Sequence, residues 1–387
     1  MLSSDTPSAV EYVAVVATAH LRDQGDAVDP LDRRTSESCS MSTKSIETPD
    51  VGYTNDVASR VWPLVNVTHG DPLAPFAMAA GRQYVFSADG TAAVSYRAVS
   101  GFAVVAGDPI GDPGRYGEVV GAFVALCHAH HWHIAVLGAS RRQLGLWHRH
   151  IGDEAHLTAV PIGRDVVIDV DHFSLTGRRK RNLRQAVQRT RNAGVTTEVI
   201  AESAIDDGLR AELREVMHSS GKDVDLERGF SMMLGDTLAG TYPGVWLVVA
   251  RNCDGRVEGF HRYACAGGGS DVSLDLPWRR HDALNGIDER LSIDMFDWAK
   301  AHGAHRVSLA FAPFPELFEP GHDHRAGLRT LQLLAHLGDR FIKLESLYRY
   351  VHKFDAMDQQ RYVLFPALHI GHALAVLLAL EFGPHRA

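Results

Sequence analysis

One order of elements is written twice along the chain, and it narrows the possible folds more than any other feature. Gln83 to Ser87 is predicted as a strand, Ala88-Asp89-Gly90-Thr91 as a turn, Ala92 to Arg97 as a second strand and Phe102 to Ala106 as a third. Gly107-Asp108-Pro109 breaks the chain, a helix follows over about 114–131, and a further strand runs from His133 to Leu137. The order returns with the strand Val245 to Arg251, the turn Asn252-Cys253-Asp254-Gly255, the strand Val257 to Ala264, and Gly267-Gly268-Gly269 leading into Asp271 to Leu276. A helix from Ile287 to His302, stopped by Gly303, precedes the strand Val307 to Ala312. Asn285 is the expected cap of that helix, Asp288 and Glu289 suit its first turn, and Ile287, Leu291, Met295 and Trp298 form its expected core face. Two units of hairpin, strand, helix and strand imply an α/β (α+β) architecture with a duplicated plan.

The 387 residues suffice for two to three domains. Four segments are expected: a disordered tail over 1–58, a first domain over 59–165, a second over 166–350 and a basic, apolar C-terminal segment over 351–387. Asp23 to Asp50 is polar, Ser/Thr-rich and aperiodic, and cannot bury enough surface to offset the entropy of ordering. A net charge of -8 excludes a generally basic, histone-like nucleic-acid binder. Cys39, Cys127, Cys253 and Cys265 lie far apart, which excludes a disulfide scaffold or zinc ribbon and fits a reducing cytosol. No signal peptide is expected, nor a membrane span. The nearest approach to a span, Tyr362 to Phe382, is interrupted by Pro366, His369, Gly371, His372 and Glu381. It reads as a helix lying on a bilayer or docked on the second domain, or else as a core helix.

The strongest local signal runs from Arg178 to Arg191, where seven of fourteen residues are basic and none is acidic. On a helix, Leu183, Ala186, Val187 and Thr190 share one face, and Arg181, Arg184, Gln188 and Arg191 another. Like charges this dense repel, and guanidinium forks match phosphate oxygens, so an RNA or lipid-headgroup phosphate is one reading. A solvated face paired with acids elsewhere is the other.

Weaker constellations carry less. The stretch His128-Ala129-His130-His131-Trp132-His133 lacks a thiolate pair or HExxH spacing and reads as a helix end rather than a metal site. No Walker A, GxGxxG or GxSxG occurs. Arg142-Gln143-Leu144-Gly145 and Arg191-Asn192-Ala193-Gly194 partly mimic an acetyl-CoA loop, but Trp147 and Thr196 stand where the second small residue belongs.

Several stretches in order carry a family resemblance. They are Val104-Val105-Ala106-Gly107-Asp108-Pro109-Ile110-Gly111, Phe173-Ser174-Leu175-Thr176-Gly177 with the basic helix through Gly194, and Ser273-Leu274-Asp275-Leu276. Asn285-Gly286-Ile287, Val307-Ser308-Leu309-Ala310-Phe311-Ala312-Pro313, Leu347-Tyr348-Arg349, Lys353-Phe354 and Arg361-Tyr362 complete the set. Together they resemble the catalytic part of the lysylphosphatidylglycerol synthase family, from about residue 62 to 365. The family pattern after Leu-Asp-Leu tends to Met-Arg; here Pro277-Trp278-Arg279 puts Arg279 in the arginine's place after a one-residue shift.

The resemblance implies two tandem acetyltransferase-like (GNAT-type) domains without the family's membrane-spanning part. It implies an aminoacyl-tRNA donor, phosphatidylglycerol as acceptor, lysine as the amino acid, no cofactor and no metal. It places the chain in the cytoplasm, peripheral at the inner face of the plasma membrane. Exchange of one ester for another needs orientation, proton movement and a stabilised oxyanion. Asp275 and Arg279 are the expected catalytic residues, Asp275 binding an amine of the aminoacyl group or, alternatively, pairing as a structural acid with Arg279 or Arg280. Arg181, Arg184, Arg191, Lys353 and Arg361 are expected to hold tRNA or lipid phosphate. His261 and Glu258 are the candidates for a general base. Competing readings are another acceptor (a different lipid or a peptidoglycan precursor), a CoA-dependent N-acyltransferase, and a non-catalytic binder. The oligomeric state is left open.

Overall fold

A computed structural model describes residues 55–152, 157–220, 232–313, 350–354 and 356–382. Most of the expected tail, and Leu347-Tyr348-Arg349, lie outside them. Twelve strands share one sheet. In chain order they are β1 Gln83–Phe86, β2 Ala92–Val99, β3 Phe102–Ala106, β4 Ile110–Gly111, β5 His133–Ser140 and β6 Leu157–Asp169. There follow β7 Thr196–Ala201, β8 Val245–Arg251, β9 Val257–Ala266, β10 Asp271–Arg279, β11 Arg306–Pro313 and β12 Met357–Pro366. The helices are α1 Asn55–Val67, α2 Tyr116–Ala129, α3 Leu144–Ile151, α4 Arg181–Asn192, α5 Asp207–Ser219, α6 Ile287–Ala301 and α7 Ile370–Phe382.

The duplicated plan is visible in the pairing. In space the strands run β1-β2-β3-β5-β12-β6-β11-β10-β9-β8-β7, with β4 attached to β2. Only β3 with β5 and β10 with β11 are parallel, each pair joined by a crossover helix, α2 or α6. The fold is α/β, with two units of the same plan side by side in one sheet.

The middle of the sheet differs from expectation. Residues 357–366 are strand β12, hydrogen-bonded to β5 on one side and β6 on the other. Val363, Leu364 and Phe365 are buried on both faces of the sheet, and a continuous apolar run suits such a central strand as well as it suits a helix. The expected surface helix therefore begins only at Ile370, and α7 packs Ala373, Val376, Leu377 and Leu380 on Phe102, Val104 and Ala135 of the first unit, not on the second. The expected junction at 165/166 falls inside β6, whose thirteen residues bridge the two units.

The face of α4 is as its pattern predicts, with Leu183, Ala186, Val187 and Thr190 buried. Helix α6 buries Ile287, Leu291 and Met295; Trp298 is only partly buried and stacks on His302 at 4.1 Å. Asn285 does not cap it. Gly286 occupies that place with φ 111°, and no side chain caps the helix. The reason is proximity: a Cβ at Gly286 would lie 2.8 Å from the Ala186 carbonyl oxygen. Only glycine permits both the left-handed backbone and this approach of α4.

Candidate active site

The second unit carries the chemistry-bearing side chains. Parallel pairing of β10 with β11 covers three residue pairs, Asp271–Arg306, Val272–Val307 and Ser273–Ser308. Beyond them β10 stays with β9 and β11 with β6, so the two strands part. At that point the β10–β9 register shifts between Leu274 and Leu276, a bulge that displaces Asp275.

Asp275 faces Arg262 of β9 rather than Arg279 or Arg280. Arg262 Nη1 donates to Asp275 Oδ2 at 2.7 Å and to the Gly235 carbonyl at 2.9 Å, and Nη2 donates to Glu202 Oε2 at 2.9 Å. Leu234 N donates to Asp275 Oδ1 and Leu238 N to Glu202 Oε1. All three charged side chains are fully buried, which leaves one guanidinium between two carboxylates. Burial pushes the Asp275 carboxyl up to about 6, against the pull of Arg262.

The opposite face of the sheet presents a ladder of polar groups under α6. His261 Nε2 lies 3.3 Å from Asp288 Oδ1, and His261 Nδ1 lies 3.4 Å from the Tyr263 hydroxyl. The Tyr263 hydroxyl lies 3.5 Å from Ser292 Oγ, which pairs closely with the Tyr350 hydroxyl. Tyr350 in turn donates to the Asp288 carbonyl at 3.3 Å. Burial holds both phenols well above the usual tyrosine range, so they stay protonated and act as donors.

Cations surround the start of α6. Arg279 pairs with Asp288 at 3.0 Å and Lys353 with Glu289 at 2.5 Å. Arg189 donates to the Asn285 carbonyl, and Lys180 to that of Phe354. Arg181, Arg184 and Arg191 are exposed on α4. Arg184 also donates to the carbonyls of Leu175 and Gly177, which ties down the loop before the helix. This is a broad cationic face at a helix N-terminus, suited to several phosphates at once.

The expected site residues are therefore divided. Arg279, Lys353 and Arg189 meet at the start of α6, Arg181, Arg184 and Arg191 lie exposed along α4, and Asp275 sits on the other face of the sheet. Arg361 must be corrected: it is 1% exposed and bonded to Asp71 at 2.6 Å, Asp165 at 2.7 Å and the Gly138 carbonyl at 3.0 Å, so no outside phosphate reaches it. Asp108 stands 3.9 Å away. Glu258 pairs with Arg256 at the start of β9. Arg262, Glu202, Ser292 and Tyr350 were not singled out by the sequence. For Arg262 a signal exists, a basic residue in the middle of an otherwise buried strand. Tyr350 offers none.

Residues 63–365 match the family described as phosphatidylglycerol lysyltransferase, C-terminal, and so span every group above. The chain is 55% identical over 327 residues to an MprF-like domain protein of Mycobacterium tuberculosis, covering 84% of this chain and 67% of that one. It is 31% identical over 303 residues to the lysylphosphatidylglycerol biosynthesis bifunctional protein LysX of Gordonia bronchialis, covering 76% of this chain but 26% of that longer protein. The solved structure of L-PGS from Bacillus licheniformis shares the fold with a TM-score of 0.69 at 19% identity, covering 86% of this chain and 98% of that one. The chain belongs to the phosphatidylglycerol lysyltransferase C-terminal family.

Proposed function

We propose that the chain transfers an aminoacyl group, lysine by the names of its relatives, from aminoacyl-tRNA to a hydroxyl of phosphatidylglycerol. The observation that carries this reading is the cationic face around the start of α6, set over a buried ladder of hydroxyls within the family match. The acceptor hydroxyl attacks the ester carbonyl, a tetrahedral oxyanion forms, and the ribose oxygen leaves with a proton. Arg181, Arg191 and Lys353 would hold tRNA or lipid phosphates, with Arg184 fixing the loop beside them. Tyr263 and Tyr350 supply hydrogen-bond donors in a dry site, where such donors are most effective. His261, held between Asp288 and Tyr263, is the group placed to move the proton. Arg279 orients Asp288. Asp275, fully buried and bonded to Arg262 and to the Leu234 backbone, serves as a structural acid rather than as the seat of the ammonium group.

The acceptor lies in a bilayer, so the chain works as a peripheral protein at the inner, cytoplasmic face of the plasma membrane. No helix of the described residues is long and apolar enough to cross a membrane. No cofactor enters the reaction. The test uses the purified chain with labelled lysyl-tRNA and phosphatidylglycerol vesicles. Labelled lipid that disappears on RNase treatment is expected. Transfer that survives RNase and requires an acyl-CoA would overturn the reading.

A further inference from the structure

The first unit has an edge that none of this chemistry uses. His128 closes the last turn of α2, His130 and His131 follow in the loop, His133 opens β5, and the chain leaving β12 brings His369 and His372 beside them. The rings of His133 and His369 are 4.0 Å apart, and Phe102 links His133 at 5.3 Å to His372 at 5.1 Å. His130 stacks on Trp132 at 4.5 Å. Leu368, beside His369, is 82% exposed, and the outward face of α7 continues with the exposed Ala375 and Ala379.

Charge makes this edge unusual in an acidic protein. Residues 98–106, 119–137 and 363–380 contain no Asp, Glu, Lys or Arg. Strand β6 meets the end of β12 with Thr158 and Leu157, also uncharged. Histidines are thus the only titratable side chains of these segments, apart from the buried thiol of Cys127. On the neighbouring β2, the buried phenol of Tyr96 stands beside Trp132, and Arg97 lies against Gly81 instead. An outward helix face without charges does not suit water but suits a bilayer interface. Burial, and then His369 and His372, hold the His133 imidazole below the usual histidine range. Acidification adds positive charge to an otherwise apolar edge, where anionic headgroups complement it.

We infer that this histidine edge, with Leu368 and the outer face of α7, docks the protein on an anionic phospholipid surface and grips it more firmly as the pH falls. The inference rests on the reading of phosphatidylglycerol as acceptor, since it supplies the surface on which that lipid is met. The interface reinforces itself: a surface potential of about -30 mV lowers the local pH by about half a unit.

The test is flotation of the full chain with phosphatidylglycerol or phosphatidylcholine vesicles at about pH 5.8 and pH 7.8, on either side of the ordinary histidine range. Binding to phosphatidylglycerol should rise at least about tenfold on acidification, as two or three added charges predict, while phosphatidylcholine stays weak at both. Replacing His130, His131, His369 and His372 with Gln should flatten the rise without moving the melting temperature, because all four are exposed. Leu368→Asp should weaken binding several-fold at both pH values. A wild type with no pH response, or a four-Gln variant that keeps the rise, overturns the inference. So does tRNA binding with the same pH rise and the same loss in the variant, which would assign the edge to RNA. Vesicle binding needs no transfer: a chain that floats but transfers nothing overturns the proposed function and leaves the docking edge standing.

Discussion

Arg262 is the most consequential single residue of the second unit. It is the cation paired with two carboxylates that have no access to water, so Arg262→Met should lower stability by about 3–5 kcal/mol in a denaturant titration, the range for breaking a buried pair. Asp275 behaves differently with pH. Its folded value of about 6 lies above its ordinary 3.8, so the fold favours the neutral acid. The stability this group contributes is complete below 3.8 and is lost as the pH rises through about 6. Asp275→Asn should therefore flatten the part of the melting profile between about pH 4 and pH 6. Transfer per folded molecule should stay near normal in a paired assay, because the buried Asp275–Arg262 contact is structural. The partner of Asp275 was not legible in the sequence. Spacing put Arg279 four residues away, but the bulge turns the two side chains to opposite faces, and a one-residue register shift leaves no mark in composition.

At the scale of elements, α4 shows how far periodicity reaches. Its buried and exposed faces were both legible, because four arginines around four buried positions admit one helical orientation. Arg181→Ala with Arg191→Ala should weaken tRNA or vesicle binding and lower the slope of log K against log salt by about one per lost phosphate contact. The fold should be unchanged, since both side chains are exposed. Arg184 is a poorer probe because it also holds the loop at Leu175 and Gly177. Gly286→Ala attacks the same element from behind: the added Cβ meets Ala186, so α4 must retreat from α6, at a cost of about 1–3 kcal/mol read in a thermal melt. Eight of the twelve strands, β1 to β3, β5 and β8 to β11, were legible from their turns and breaks; β4, β6 and β7 were not singled out. Nor was β12, because a short apolar run fits a central strand and a helix equally, and its neighbours β5 and β6 lie roughly two hundred residues earlier.

The whole molecule is held at its seam by Arg361, whose contacts with Asp71 and Asp165 span 290 and 196 residues of sequence. Separations like these cannot be read from local pattern, which is why the residue was expected at the surface. Burial, aided by Asp71, pushes Asp108 up to about 6, and burial pushes Asp165 up to about 6. Arg361→Leu should be severely destabilising at about pH 7.5, where the carboxylates lose their counter-charge. The deficit should narrow at about pH 5.5 as they take up protons; paired thermal melts of variant and wild type at the two pH values check it. The position of β12 also has a consequence for how the protein is made. The strand that fills the centre of the sheet leaves the ribosome long after β5 and β6 have emerged. At about 5–20 residues per second the flank of β5 waits roughly ten seconds or more for its neighbour. During that wait two unpaired strand edges are open to the wrong partner. The sheet is thus completed only after that delay, and the cell must shelter an unfinished β-surface in every copy it synthesises.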